Sequence, residues 1–151
     1  MLLAFLSAGT GASAQMNQPF VRKHLYSTTA NSKAEIATAL IEARSSHKRV
    51  ILTFGGDWCA DCQILDLYMH QNENAALLDK HYVLVHIDIG RFDHNVDLAR
   101  KYKVPIEKGV PALAVLDARG NLLYSQVDGD FENMRRITLE DVTAFLKRWS
   151  R

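Results

Sequence analysis

The order of apolar runs and helical segments in this sequence predicts an α/β fold, with a central mixed sheet of about four to five strands flanked by helices. Apolar runs occur at 50–54, 82–89 and 112–116, the first of them rich in β-branched residues, and segments with helical spacing of apolar residues separate them. The turn sequence at 117–121 and the run at 122–125 then predict a C-terminal antiparallel hairpin, which a last helix follows.

The helices are predicted from apolar residues at helical spacing and from capping residues at their starts. Asn31 and Ser32 can cap the first helix, Gly55 and Gly56 form the turn before the second, and Thr138 caps the last. Strand 82–89 is apolar at nearly every position, which is typical of a central strand buried on both faces. The predicted helices cover residues 32–46, 59–71, 72–78, 93–102 and 139–149.

Length and composition favour one globular domain. The chain has 151 residues, of which 48% are apolar and 23% charged. A formal net charge of +1 argues against a nucleic-acid partner, and no apolar run is long enough for a permanent membrane span. We therefore expect a single domain at 31–151 after an irregular lead-in at 15–30, and we expect it to be a monomer.

The first residues resemble a secretory signal peptide. An apolar run at 2–6 is followed by Ala12-Ser13-Ala14, a small-x-small pattern typical of a cleavage site, although no Lys or Arg precedes the run. These features predict a signal peptide at 1–14 and export, for example to the periplasm. The alternative is a cytoplasmic protein whose translation starts at Met16.

The only two cysteines, Cys59 and Cys62, lie two residues apart where a strand gives way to a helix. Half of a zinc site is one interpretation, but a second pair of ligands at matching spacing is missing, so no metal is expected. A structural disulfide is another, although so short a loop adds little stability. The third is a redox dithiol, which the position at a helix start favours.

The helix start gives the two cysteines different chemistry. Unpaired backbone N–H groups and the helix dipole stabilise an anion at the first position, which favours Cys59 as the nucleophilic thiolate. Cys62 lies one turn further along the same face, where it can attack a mixed disulfide at Cys59 and release the substrate. Trp58 either shields the site and contacts the substrate peptide or is simply a core residue.

The motif Trp58-Cys59-x-x-Cys62 after a buried strand, together with Val110-Pro111 before a later strand, resembles the thioredoxin superfamily. The resemblance covers about 31–149 and is closest to exported members and to the reducing domains of periplasmic thiol–disulfide interchange proteins. It implies a thioredoxin fold, a cis Pro111 beside the dithiol and a Val110 backbone that pairs with the substrate. It also implies that no bound cofactor is needed, because electrons pass to and from a partner dithiol protein.

Three positions near the motif bear on how Cys59 and Cys62 ionise. Many thioredoxins have a buried Asp six residues before the first cysteine, where this chain has Thr53. Asp57 precedes the motif and Asp61 lies inside it. These two carboxylates either tune the ionisation of Cys59, by opposing its thiolate or relaying protons, or are solvated residues that favour the helix dipole.

Two functions follow as hypotheses. The first is a thiol–disulfide oxidoreductase that acts on protein cysteines and reduces rather than oxidises them, with Cys59 and Cys62 as catalytic residues and Trp58, Val110 and Pro111 at the substrate groove. The alternative is a non-enzymatic thioredoxin-fold module that binds a client or a metal ion through the dithiol. Segments 91–94 and 128–133 are candidate partner contacts or ordinary loops, each with one anchoring Phe.

Overall fold

The computed structural model describes residues 20–150 and shows an α/β domain built on four strands. Two short 3₁₀ turns, Ile106–Lys108 and Met134–Arg136, lie before the third strand and before the last helix. The elements in chain order are α1 (Ser32–Ser46), β1 (Arg49–Gly55), α2 (Ala60–Met69), α3 (Asn72–His81), β2 (Tyr82–Asp88), α4 (Val96–Lys101), β3 (Ala112–Leu116), β4 (Leu122–Ser125) and α5 (Leu139–Trp149).

The strands form one mixed sheet, as the sequence predicts, and their order in the sheet is β2-β1-β3-β4. β1 pairs in parallel with β2 and antiparallel with β3, and β3 pairs antiparallel with β4. The prediction that 82–89 forms a central strand is wrong, because β2 lies at the edge of the sheet. Its apolar sequence has another cause: α1 and α3 both pack against β2.

Two groups of buried side chains lie around the sheet and stabilise it through burial of apolar surface. The first joins α1 and α4 to β1, and it contains Leu52, Phe54 and both cysteines. The second joins α2, α3 and α5 to the sheet through residues such as Ile51, Leu65 and Leu146. No residue in either group is more than 8% exposed, so the sheet is covered on both faces.

Three helices differ from their predicted limits, and α2 ends at Met69, two residues before its predicted end. α3 continues to His81, three residues past the predicted end, because no Gly or Pro interrupts it before β2. α4 begins at Val96 rather than at Asp93. Asn95 has a left-handed backbone, with φ of 52°, and Asp93 instead accepts a hydrogen bond from the N–H of Arg91, so this stretch is a turn.

The lead-in has no helix or strand between residues 20 and 30, yet part of it packs into the domain. Tyr26 is only 3% exposed and belongs to the first buried group. The predicted signal peptide at 1–14 and the start of the lead-in lie outside the described residues. Among the helices of residues 20–150, none combines the length and the apolar character that crossing a bilayer requires.

Candidate active site

The two cysteines are placed where β1 gives way to α2. Cys59 has an extended backbone and is the N-cap of α2, and its Sγ accepts a hydrogen bond from the N–H of Cys62 at 3.1 Å. A disulfide joins Cys59 to Cys62, with 5.3 Å between the two Cα atoms. An N–H group aimed at Cys59 Sγ would stabilise a thiolate there after reduction, as the sequence predicts for the helix start.

The two sulfurs differ in their access to solvent. Cys59 is 5% exposed and borders an open groove of about 550 Å³, whereas Cys62 is 1% exposed and lies beneath it. A partner that enters the groove therefore reaches Cys59 before Cys62. The side chains around the groove come from both sides of the dithiol: Trp58, Cys59, Ala60, Asp61, Phe92, Val110, Asn133 and Arg135.

Trp58 is half-buried and is held by the loop that follows β2. Its indole N–H donates to the carbonyl of Gly90 at 2.8 Å. The Phe92 ring lies 5.9 Å from the indole, and the Arg91 guanidinium lies 5.0 Å above it. Phe92 itself is 47% exposed, so this predicted contact loop presents an aromatic surface beside the groove.

Val110 and Pro111 lie against the dithiol, and the bond between them is cis, as the resemblance implies. The Val110 carbonyl oxygen is 3.6 Å from Cys59 Sγ. Gln126 is 1% exposed and holds this segment: its amide N–H donates to the Pro111 carbonyl, and its amide oxygen accepts from the N–H of Leu113. Sequence reasoning missed Gln126, since a single polar residue after a strand gives no signal of burial.

The space behind Cys62 is shared with the lead-in. A Cβ added to Gly55 would lie 2.6 Å from Cys62 Sγ and 2.9 Å from the Tyr26 hydroxyl oxygen, so only glycine fits there. The Tyr26 hydroxyl donates to Thr53 Oγ1 at 3.5 Å. Thr53, at the position where many thioredoxins have a buried Asp, is therefore the hydrogen-bond partner of the Tyr26 hydroxyl. Nothing in the sequence marks Tyr26 as part of the site.

Asp57, which the sequence predicts to tune Cys59, anchors the lead-in through its carboxylate. Its carboxylate accepts the N–H groups of Leu25 and Tyr26 at 2.8 and 2.9 Å and lies 3.1 Å from His24 Nδ1. Partial burial raises the pKa of Asp57, but the two N–H groups and His24 outweigh it and lower the pKa below its ordinary value. We therefore assign Asp57 to docking of the lead-in.

Asp61 does border the groove, and it also makes a structural contact. Its carboxylate accepts the N–H of Met134 at 3.4 Å, which ties the start of α2 to the 3₁₀ turn at 134–136. That turn follows the second predicted contact segment. In this segment Phe131 is a buried anchor, 4% exposed, while Asn133 lines the groove.

A second carboxylate of α2, Asp66, lies deeper and was not predicted as a site residue. Its oxygens lie 3.2 Å from Lys23 Nζ and 3.3 Å from both His70 Nδ1 and His86 Nε2. Burial raises the pKa of Asp66, but His86, His70 and Lys23 together lower it below its ordinary value. Within residues 20–150, no group of three or more His, Cys, Asp or Glu side chains is arranged to hold a metal ion.

The fold and the site together define a thioredoxin-type protein, with a Cys-x-x-Cys disulfide at a helix start and a cis proline beside it. The family model described as thioredoxin-like matches residues 31–118, and the chain belongs to this family. The crystal structure of a disulphide isomerase from Xylella fastidiosa is 31% identical, with a TM-score of 0.80, over 87% of this chain and all of that one.

The curated relatives that this chain matches are named as thiol:disulfide interchange proteins. The thiol:disulfide interchange protein DsbD of Pseudomonas fluorescens is 32% identical over 86% of this chain, which spans only 21% of that relative. The C-terminal domain of DsbD from Neisseria meningitidis, at 18% identity and a TM-score of 0.58 over 81% of this chain and 97% of that one, shares the fold. These similarities and the Cys59–Cys62 disulfide agree with the predicted class of enzyme, a thiol–disulfide oxidoreductase.

Proposed function

We propose that this protein exchanges its Cys59–Cys62 pair with cysteines of other proteins, and that it mainly reduces their disulfides. The observation that carries the proposal is the position of Cys59: it caps α2, receives the N–H of Cys62 and borders an open groove. These features supply a stabilised thiolate and room for a partner. The Cys62 sulfur lies within bonding distance, so a mixed disulfide can be resolved internally.

The proposed reaction has two exchange steps. The Cys59 thiolate attacks one sulfur of a substrate disulfide, a new S–S bond forms, and the other substrate sulfur leaves as a thiolate and takes a proton from water. The Cys62 thiolate then attacks Cys59 Sγ, which releases the second substrate sulfur in the same way. Two electrons have passed to the substrate, and Cys59 and Cys62 form a disulfide that a partner dithiol protein reduces.

The groove residues have separate roles in this proposal. Trp58 and Phe92 offer apolar surface to the substrate chain, and the backbone of Val110 lies close enough to Cys59 to pair with a peptide that crosses the groove. Gln126 keeps the Val110–Pro111 segment in place. Because exchange moves only electrons and protons between sulfurs, the proposed reaction uses no bound cofactor.

Reduction of insulin by dithiothreitol tests the activity. We expect the protein to accelerate the appearance of turbidity and the Cys59→Ser variant to be inactive, while Cys62→Ser retains at most single-turnover exchange. No acceleration by the intact protein would contradict the proposal and favour a module that only binds a client. The direction is tested by equilibrium with glutathione: we expect a potential nearer about −270 mV than about −120 mV.

We also propose that the protein acts after export, on the signal-peptide pattern of residues 1–14. Mass spectrometry of the protein from its native host tests this. A mature chain that starts at Gln15 is the expected result, and a chain that retains Met1 or starts at Met16 would contradict it.

A further inference from the structure

Tyr26 is a buried polar residue that the proposed exchange steps do not use. It comes from the lead-in, 33 residues before Cys59 in sequence, and is 3% exposed. Its hydroxyl oxygen and Cys62 Sγ lie 2.9 and 2.6 Å from one point, the position that a Cβ on Gly55 would take. The hydroxyl and the resolving sulfur therefore face the same small space behind the disulfide.

Three contacts hold Tyr26 in this place. Asp57 accepts its backbone N–H at 2.9 Å. Gln63 of α2 exchanges two hydrogen bonds with the backbone of Lys23, at 2.8 and 2.9 Å, three residues earlier in the lead-in. On the other side, the ring packs edge-on against His86 of β2, with 5.1 Å between centroids. The first two contacts fix the backbone of the lead-in and the third fixes the ring, so together they hold the hydroxyl in this place.

The Tyr26 hydroxyl is a donor at every pH at which thiol exchange operates. Burial raises the pKa of Tyr26 far above its ordinary value, the hydrogen bond to Thr53 lowers it by less, and the nearby carboxylates of Asp66 and Asp57 raise it slightly further. The only acceptor that it has among the described residues, Thr53 Oγ1, is 3.5 Å away, at the long limit of a hydrogen bond. Rotation about the C–O bond would turn the proton towards the space that the hydroxyl shares with Cys62 Sγ.

We propose that Tyr26 is a positioning residue for the resolving step: its hydroxyl donates a hydrogen bond to the Cys62 thiolate and so favours attack on the mixed disulfide. This inference rests on the proposed function. Cys62 first loses its proton to water, and its sulfur then bonds to Cys59 Sγ. The Cys59–substrate bond breaks, and the substrate sulfur leaves with the electron pair and takes a proton from water. Tyr26 keeps its own proton throughout.

The Tyr26→Phe variant removes the hydroxyl and keeps the ring. A hydrogen bond to a charged sulfur is strong enough that its loss should lower the thiolate fraction of Cys62 about tenfold. The thiolate of a less acidic thiol is more nucleophilic, which raises its rate of attack about threefold and offsets part of this loss. The resolving step should therefore slow by about three- to fourfold. A role in packing alone would leave the ionisation of Cys62 unchanged.

Two measurements on the purified full chain separate these effects without a physiological client. Dithiobis(nitrobenzoate) reacts with the reduced protein in two steps, and each step releases one coloured thiolate: attack by Cys59, then resolution by Cys62. We expect Tyr26→Phe to slow only the second release. A ¹³C titration of the Cys62 Cβ in the reduced protein should show ionisation at a higher pH by about one unit.

Tyr82→Phe is the matched control, because Tyr82 is a second buried tyrosine whose hydroxyl donates to the Leu146 carbonyl in the other buried group. It should leave both measurements unchanged. Thr53→Val keeps Tyr26 and should not slow the second release, which provides a test if Tyr26→Phe fails to fold. Equal second-step rates and Cys62 titrations in Tyr26→Phe and the intact protein, or a slowing in Thr53→Val, would overturn the proposal. Failure in the insulin assay would instead contradict the proposed function.

Discussion

At the scale of single residues, the roles of the two cysteines depend on a small difference in position. Cys59 borders the groove, and Cys62 lies one helical turn deeper with 1% of its surface exposed. The hydrogen bond that stabilises a Cys59 thiolate comes from the backbone of Cys62, so it survives replacement of the Cys62 side chain. The attacking and the resolving functions can therefore be separated by substitution.

We expect the Cys62→Ser variant to accumulate mixed disulfides with client proteins through Cys59, because the resolving sulfur is missing. Non-reducing electrophoresis and mass spectrometry of the trapped adducts would detect them. Cys59→Ser is the control and should trap far less, since Cys62 is shielded. Equal trapping by the two variants would show that the assignment of attacking and resolving cysteine is wrong.

Asp61 combines a charge beside the groove with a hydrogen bond to the N–H of Met134, and two variants separate these effects. Asp61→Asn keeps an acceptor oxygen and removes the charge, so it should increase the thiolate fraction of Cys59. A repulsion of about 1 kcal/mol at 4 Å in water limits the increase to about fivefold. The ultraviolet absorbance of the thiolate measures it.

Asp61→Ala removes the hydrogen bond as well and should in addition loosen the turn at 134–136. Its thiolate fraction should match that of Asp61→Asn, while its free energy of unfolding should be lower. If Asp61→Asn leaves both the thiolate absorbance and the redox potential unchanged, the charge has no part in tuning Cys59.

At the scale of elements, the lead-in depends on Asp57, which receives two backbone N–H groups from it. We expect Asp57→Ala to lower the free energy of unfolding by about 1.5–3 kcal/mol, as for hydrogen bonds to a charged group. Asp57→Asn keeps an acceptor oxygen and should lose only about 0.5–1.5 kcal/mol. Urea denaturation of the three proteins measures both values, and equal stability of all three would exclude an anchoring role.

The same contact makes docking of the lead-in sensitive to acid. The pKa of Asp57 is lower in the folded protein than its ordinary value of about 3.9. Its contribution to stability is therefore complete above that ordinary value and is lost as the pH falls through the folded pKa. Hydrogen exchange of the Leu25 and Tyr26 amides should accelerate in that acidic range, after correction for the intrinsic rate, and should be fast at all pH values in Asp57→Ala.

The sequence predicted the elements well because their signals are local. The caps at Asn31 and Thr138, the turn at 117–121 and the cysteines at the start of α2 all lie next to the elements that they define. Contacts between distant segments left no such signal. Asp57 was placed beside the sulfurs by sequence proximity, whereas its partners lie 31 and 32 residues earlier. The edge position of β2 likewise depends on pairing with β1 alone, which composition does not specify.

At the scale of the whole molecule, the sheet separates two buried groups, and only one of them contains the dithiol. Both cysteines, Tyr26 and Val110 belong to the first group, together with residues of α1 and α4. The second group joins residues of α2, α3 and α5 to the sheet. A substitution in the second group can therefore lower the free energy of unfolding without touching the residues around the dithiol.

Leu146 and Leu52 test this separation, because each is fully buried in a different group. Leu146→Ala and Leu52→Ala should each lower the free energy of unfolding by about 2–5 kcal/mol, through lost transfer energy and the cavity that remains. Leu146→Ala should leave both steps of the dithiobis(nitrobenzoate) reaction unchanged, whereas Leu52→Ala, which loosens the group that contains both cysteines, should alter the second. Denaturation in urea and the two release rates measure these effects. A change of the second rate in Leu146→Ala, at a temperature where the variant is folded, would show that packing of α5 is coupled through the sheet to the resolving cysteine.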